Sequence, residues 1–260
     1  MNTLSKKIRM SLSKKRKRFQ IFAFSITIKQ NSAINYPMIQ INNLYFSYAD
    51  HDFSMDIPYF HIEKGGSVAI TGPSGSGKTT LLNLICGVLR PLDGEVIVDG
   101  ISIEDLSDKA LRQYRIAHIG MVFQSFELLE YLNVLDNILL PYRLDKNLIL
   151  DPKVKRRAYE IAESFGIEDK LNRYPSALSQ GEKQRVAIAR ALITGAKLII
   201  ADEPTGNLDP KNTEQVADIL LEYVKKEKAT LVTVTHDHAF AKQFDRVVDF
   251  TKLAEGEENE

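Results

Sequence analysis

Ser67-Val68-Ala69-Ile70-Thr71-Gly72-Pro73-Ser74-Gly75-Ser76-Gly77-Lys78-Thr79 is the stretch whose reading decides the fold. Its first five residues are a short, continuous, β-rich run, the texture of a strand buried on both faces of a parallel sheet. Its last eight fit G-x-x-x-x-G-K-[ST]. The apolar residues 80–89 that follow have helical length. Strand, glycine loop and helix in that order are the context a phosphate-cradling loop needs. Gly72, Gly75 and Gly77 let the backbone turn its N–H groups toward phosphate oxygens, with Pro73, Ser74 and Ser76 between them. The helix that starts at the loop aims its positive dipole end the same way. Lys78 brings a point charge to β/γ phosphates, and the Thr79 hydroxyl can ligate Mg²⁺.

Two further runs resemble the first. Leu198-Ile199-Ile200-Ala201 ends in Asp202-Glu203, and residues 230–235 read Thr-Leu-Val-Thr-Val-Thr. Between them Val216, Ile219, Leu220, Tyr223 and Val224 recur at i, i+3, i+4, i+7 and i+8, the stripe of a helix packed on a sheet. Strand, helix and strand of this kind imply an α/β core. Ile39-Gln40-Ile41 and residues 94–100 suggest a small antiparallel piece nearer the N-terminus. Residues 127–195 have mostly helical texture. A carboxylate at the end of a buried strand, beside a phosphate loop, can hold Mg²⁺, and Asp202 is placed for that role. Glu203, one residue on, points differently and can polarise a water for attack on a γ-phosphate.

The chain has 260 residues, with 34 Lys+Arg against 34 Asp+Glu. That zero is a cancellation. Residues 1–37 hold nine basic residues (Lys6, Lys7, Arg9, Lys14, Lys15, Arg16, Lys17, Arg18, Lys29) and no acid. The remainder is therefore −9, from 25 basic and 34 acidic residues. The basic segment reads as an arm for nucleic acid or anionic lipid, as a crude signal peptide, or as a non-native leader with Met38 the true start. Residues 251–260 form an acidic tail. Cys86 is the single cysteine, so no intrachain disulfide can form. No apolar run reaches the roughly 18 residues that cross a bilayer.

Leu178-Ser179-Gln180-Gly181-Glu182, ahead of the helical run 183–192, resembles the signature motif of the ATP-binding-cassette (ABC) ATPases. Gly120-Met121-Val122-Phe123-Gln124-Ser125-Phe126, Asp202-Glu203-Pro204-Thr205-Gly206-Asn207-Leu208-Asp209 and Thr233-Val234-Thr235-His236-Asp237 extend the resemblance from about Met38 to Phe250. The Asp-Glu-Pro-Thr-Gly-Asn-Leu-Asp run is similar to the lipoprotein-release and macrolide-export branch, which also holds a cell-division member. Two positions depart from the usual signature: Gln180 replaces the first glycine and Glu182 replaces a glutamine, while Gly181 is kept.

The resemblance implies a P-loop NTPase fold: a RecA-like α/β core, a small antiparallel β subdomain and an α-helical signature subdomain over about 125–190, within an ATPase domain of residues 38–250. It implies ATP and Mg²⁺ as ligands. Tyr48 matches the aromatic that stacks on adenine, and Thr80 falls within the phosphate-binding segment. Gln124 matches the glutamine that contacts Mg²⁺ or the lytic water. Ser179, Gly181 and Glu182 match the signature that binds the γ-phosphate of the opposite subunit's nucleotide. Asp209 matches a residue that orders the dimer interface, and His236 one that holds the γ-phosphate. Because the signature acts in trans, an ATP-bound homodimer is expected. A separate integral-membrane permease is expected too, docked on the helical subdomain and residues 125–140, with the chain peripheral on the cytoplasmic face and no nucleic acid bound. Phe126, Leu128, Leu129 and Tyr131 are either docking or core residues. The competing readings are a cell-division signalling ATPase and a soluble cassette acting on nucleic acid or the ribosome. A metal pair of His236 and His238 has no evident third ligand.

Overall fold

The computed structural model describes residues 36–49, 53–206 and 208–255. Residues 1–35 of the basic segment 1–37 and the end of the acidic tail lie outside the described residues.

The run at 67–71 is strand β3 (Gly66–Thr71), an inner strand of a five-stranded parallel sheet. Its companions are β6 (Ile119–Val122), β7 (Leu198–Asp202), β8 (Thr230–Thr235) and β9 (Arg246–Asp249), in the order β6-β7-β8-β3-β9. β8 is buried at every residue, which is why its sequence shows no alternation. The antiparallel piece comprises β1 (Ile39–Ser47), β2 (Ser54–Ile62), β4 (Asp93–Val98) and β5 (Ile101–Ser102), ordered β2-β1-β4-β5. β1 and β4 slip register between Asn42 and Tyr45. Gly94 sits at that irregularity with φ +82°, and a Cβ there would stand 2.1 Å from the Asn43 carbonyl, so only glycine lets the strands close.

Helix α1 (Lys78–Ile85) leaves the phosphate loop and is packed in the core shared by both sheets. Leu81, Leu84 and Ile85 lie in one buried cluster with Ile41 and Val96 of the antiparallel sheet and Ile200, Val232 and Val234 of the parallel one. It ends short of the expected 89. Gly87 takes φ +63°, and a Cβ there would come within 2.6 Å of Leu111 on α2 (Asp108–His118). The chain must turn where the two helices meet.

The stretch 127–195 carries α3 (Val134–Ile138), α4 (Leu140–Leu144), α5 (Pro152–Ser164), two 3₁₀ turns and α6 (Gln180–Leu192). α5 starts on an Asp151 cap with Pro152 in its first turn. α6 belongs to two cores. Val186, Ala189 and Ile193 pack with Val134, Ile138, Ala158 and Ala162 in a helical cluster. Ile188, Ala191 and Leu192 pack beneath the parallel sheet with α7 (Pro210–Glu227), through Val216, Leu220 and Val224. Two short helices close the described chain, α8 (His238–Ala241) and α9 (Phe250–Glu255).

Asn137 is fully buried in the helical region. Its side chain accepts from the Leu129 N–H and donates to the carbonyls of Leu129, Leu132 and Asn133, fixing the loop between β6 and α3. Of the four apolar residues in that segment, Phe126 is buried and Leu128 and Leu129 are half-buried. Tyr131 is 76% exposed, so it alone of the four is turned mainly to solvent.

Candidate functional site

Parallel topology brings the site together. β7, β8 and β3 are neighbours, so their C-terminal ends place Asp202-Glu203, His236 and the phosphate loop side by side on one edge of the sheet. Ligands in open α/β sheets bind at that edge.

In the loop, Gly77 caps α1 with φ +109°. A Cβ at Gly77 would stand 2.6 Å from the Phe53 ring, so the position is closed to any other residue by backbone and by space. Lys78 is 7% exposed, and its Nζ donates to the carbonyls of Gly72 and Pro73, both at 2.8 Å. The ammonium therefore lies folded along the loop. The Ser76 hydroxyl is buried and makes no hydrogen bond among the described residues. The Thr79 hydroxyl donates to Asp202 Oδ1 at 3.2 Å. Thr80 Oγ1 pairs with the Tyr48 hydroxyl at 3.1 Å. Tyr48 also packs against Phe46 and Phe53, with ring centroids 4.9 and 5.8 Å apart.

Burial pushes the Asp202 carboxyl above the usual carboxylate range, and the neighbouring Glu203 charge adds to that, opposed by the Thr79 hydrogen bond and Lys78. The ionised carboxylate is thus under-compensated in the chain alone, a position that suits a cation. Asp202→Asn keeps an oxygen acceptor for Thr79 and removes the charge. A raised pKa means that the ionised group opposes folding above that pKa, and that this opposition fades as pH falls through it. The Asn variant is therefore expected to melt a few degrees higher than wild type at neutral pH without nucleotide, the gap narrowing in acid, while its Mg²⁺-dependent turnover collapses. Thermal melts at two pH values beside an ATPase assay check this; a lower Tm at neutral pH contradicts it.

Glu203 leaves the strand with φ +46°, uncommon for a side chain with a Cβ. Its N–H bonds to the Val234 carbonyl at 3.0 Å. Oε1 lies 2.8 Å from His236 Nδ1, and Oε2 accepts from the His236 N–H at 3.4 Å. The exit of β8 thus aims the carboxylate. Gln124 follows β6, and a Cβ on Gly206 would stand 3.3 Å from its Nε2, so the amide lies over the turn after Glu203.

One cleft of about 410 Å³ gathers Tyr48, Ser74, Gly75, Gly77, Lys78, Thr79, Thr80, Gln124, Asp202 and Glu203. Gly72 and Pro73 lie behind Lys78, and His236 reaches the cleft through Glu203. Phe53 is also in the wall, packed against Tyr48, and no sequence motif marks it. No cluster of three or more His, Cys, Asp or Glu suited to a metal occurs among the described residues. A divalent cation at Thr79 and Asp202 would share its coordination with phosphate, as Mg²⁺ does.

The signature stands outside this cleft. Ser179 caps α6: its hydroxyl accepts from the Glu182 N–H at 3.3 Å, and Glu182 Oε2 accepts from the Ser179 N–H at 2.7 Å. That bond holds the Glu182 carboxyl below its ordinary pKa. Glutamate in place of glutamine thus suits the capping role. Asp209 caps α7, accepting from Asn212 at the backbone (3.1 Å) and side chain (2.6 Å). Arg185 of α6 donates to Asn212 Oδ1 at 3.1 Å, which ties the signature helix to Asp209. A Cβ on Gly181 would lie 2.3 Å from the same Asn212 oxygen, so the glycine lets the two helix starts approach.

The family model described as ABC transporter matches residues 56–206. The lipoprotein-releasing system ATP-binding protein LolD of Treponema denticola is 43% identical over 186 residues, covering 72% of this chain and 81% of that protein. The macrolide export ATP-binding/permease protein MacB of Rhodopirellula baltica is 41% identical over 214 residues, covering 81% of this chain and 31% of that one. Among solved structures, the dimeric post-hydrolysis state of the ATP-binding cassette MJ0796, bound to ADP and Pi, superposes with a TM-score of 0.74 at 35% identity, covering 86% of this chain and 97% of that one. With its phosphate loop, strand-end carboxylates and capped signature helix on one such scaffold, the chain belongs to the ABC transporter family, as one of its ATP-hydrolysing cassettes.

Proposed function

We propose that the chain works as the ATP-driven subunit of a transporter whose permease is a separate membrane protein, of the lipoprotein-release or macrolide-export type, and that it sits on the cytoplasmic face of the membrane. The observation that carries this reading is that the chain holds two halves of a site that do not meet. The cleft has the phosphate loop, Asp202, Glu203 and Gln124, and Ser179, Gly181 and Glu182 are not in its walls. Two copies facing each other would complete both sites, each phosphate loop against the other copy's signature, with Asp209 at the seam. The dimeric MJ0796 structures support this arrangement. The names LolD and MacB support the branch. No helix among the described residues is long and apolar enough to cross a membrane, which agrees with a permease on another chain.

In this reading adenine stacks on Tyr48. The amides of residues 74–77 and the Ser76 hydroxyl receive phosphate oxygens, and Lys78 moves from the loop carbonyls to the β/γ phosphates. Thr79, Gln124 and Asp202 would hold Mg²⁺, which neutralises phosphate charge. Glu203 takes a proton from the attacking water as its oxygen bonds to the γ-phosphorus, and ADP leaves with the β–γ bridging oxygen. His236 keeps Glu203 aimed and faces the γ-phosphate. Loss of that phosphate removes the bridge between copies, so the ATP cycle becomes a closing and opening motion. A mainly apolar cleft of about 260 Å³, bounded by Ile116, Met121, Phe123, Leu140, Pro141 and Leu144 with Arg115, Glu127 and Arg190 also in its wall, adjoins the Gln124 loop and is the surface we assign to the permease. Purified from detergent-solubilised membranes, the chain is expected with a stoichiometric multi-span partner. Recovery with nucleic acid and no membrane protein would sink this reading in favour of a soluble cassette.

A further inference from the structure

Helix α6 carries the signature at its start, and its far end grips the loop that follows Gln124. Arg190 donates from Nη2 to the Phe126 carbonyl at 2.7 Å and from Nη1 to the Glu127 carbonyl at 2.5 Å. Those two residues are both in the left-handed region, at φ +62° and +49°. Two consecutive non-glycine residues there are costly and persist only where surrounding structure holds them. The Phe126 ring is buried, the Ser125 hydroxyl donates to Glu127 Oε1 at 2.6 Å, and Glu127 N–H bonds back to the Ser125 carbonyl at 2.7 Å. The guanidinium is the group that fastens this turn to another element through two carbonyls at once. Its planar fork offers a separate nitrogen to each carbonyl in a fixed geometry, where a lysine would offer one nitrogen on a flexible stem. Its burial is deep enough to bring its pKa down to about 10.

The same helix holds the other side of the cleft. The Gln184 side chain, fully buried, donates to the Pro204 carbonyl at 2.6 Å, directly after Glu203. Arg185 reaches Asn212 and Gln215 of α7. From three points along one rigid helix, the turn after Gln124, the turn after Glu203 and the start of α7 are therefore held in fixed relation.

We propose that Arg190 is a positioning residue for hydrolysis: by clamping the Phe126 and Glu127 carbonyls it sets where Gln124 stands over the cleft, and it makes that position depend on the placement of the signature helix. The inference rests on the role given to Gln124 above. Arg190 touches neither nucleotide nor water in this scheme, and its effect is carried by the loop.

The test uses the full chain, with ATPase rates normalised to folded protein and affinity read by equilibrium binding of a non-hydrolysable ATP analogue. Arg190→Lys keeps the charge but not the fork; Arg190→Gln keeps an amide donor and removes the charge. Each is expected to lower kcat by about tenfold or more with analogue affinity within about twofold, because only the hydrolytic geometry is lost. Either variant retaining kcat within about twofold of wild type overturns the proposal. A second readout separates positioning from general loosening. If Arg190 acts through Gln124, Arg190→Lys costs almost nothing further in a Gln124→Ala background. Losses that multiply overturn it. Gln124→Ala with unchanged kcat would instead refute the role of Gln124 itself, so the two failures are distinguishable. Hydrogen exchange on the unmodified chain covers the case in which neither variant folds. The amides of Phe126 and Glu127 are expected to exchange roughly 100-fold or more slowly than in unstructured peptide, and exchange at the free-peptide rate refutes the clamp.

Discussion

Replacing Glu203 with Gln is expected to reduce ATP turnover by roughly 10²–10⁴-fold, the range a positioned general base contributes. The amide is nearly isosteric and keeps an oxygen that can accept from His236, which lies 2.8 Å from Glu203 Oε1 in the wild type. Geometry is thus largely preserved while the proton acceptor is lost. The same substitution removes a negative charge beside the phosphates, so ATP should be held longer. Two copies bridged by unhydrolysed ATP should then accumulate. Sizing chromatography with Mg-ATP is expected to show a dimer for Glu203→Gln. A monomer alone would count against the face-to-face arrangement, and near-normal turnover would remove Glu203 from the base role.

Lys78→Ala acts one step earlier, on binding. The Lys78 ammonium sits 2.8 Å from two carbonyls of its own loop. Transfer to phosphate exchanges neutral acceptors for charged ones, and hydrogen bonds to charged groups are worth about 1.5–3 kcal/mol. ATP affinity is therefore expected to fall by about 10–100-fold, measured by titration calorimetry. The chain outside its basic first 37 residues carries a net charge of −9, so no broad positive field compensates for the missing lysine. Unchanged affinity would contradict the assignment.

These two variants probe residues that the sequence already exposes. Lys78 is recognisable because a phosphate loop is built from consecutive residues, and its chemistry is local. Asp202 and Glu203 are recognisable because a buried strand has a composition, and its last residue is where a parallel sheet meets its ligand. Phe53, Gln184, Arg190 and Asn212 are not recognisable in this way. Each acts on a partner distant in sequence: Arg190 on carbonyls 63 and 64 residues away, and Gln184 on one 20 residues away. A carbonyl carries no side-chain identity that a pattern could flag. The end of α1 at Ile85, ahead of the apolar residues up to 89, has a related reason, since the close approach of Gly87 to Leu111 is absent from local periodicity.

The sequence by itself determined the α/β class, the phosphate loop, the strand-end carboxylates and the resemblance that relates the signature to an opposing nucleotide. All of these are written in consecutive residues, where glycine freedom, helix capping and apolar runs act over short range. Tertiary structure alone decided that Glu203 is aimed by His236 across two strands, that Asp202 bears a charge its surroundings resist, and that the signature helix grips the turns after both Gln124 and Glu203. Those outcomes depend on strand order and on burial, which follow from how the whole core packs and are properties of no single segment.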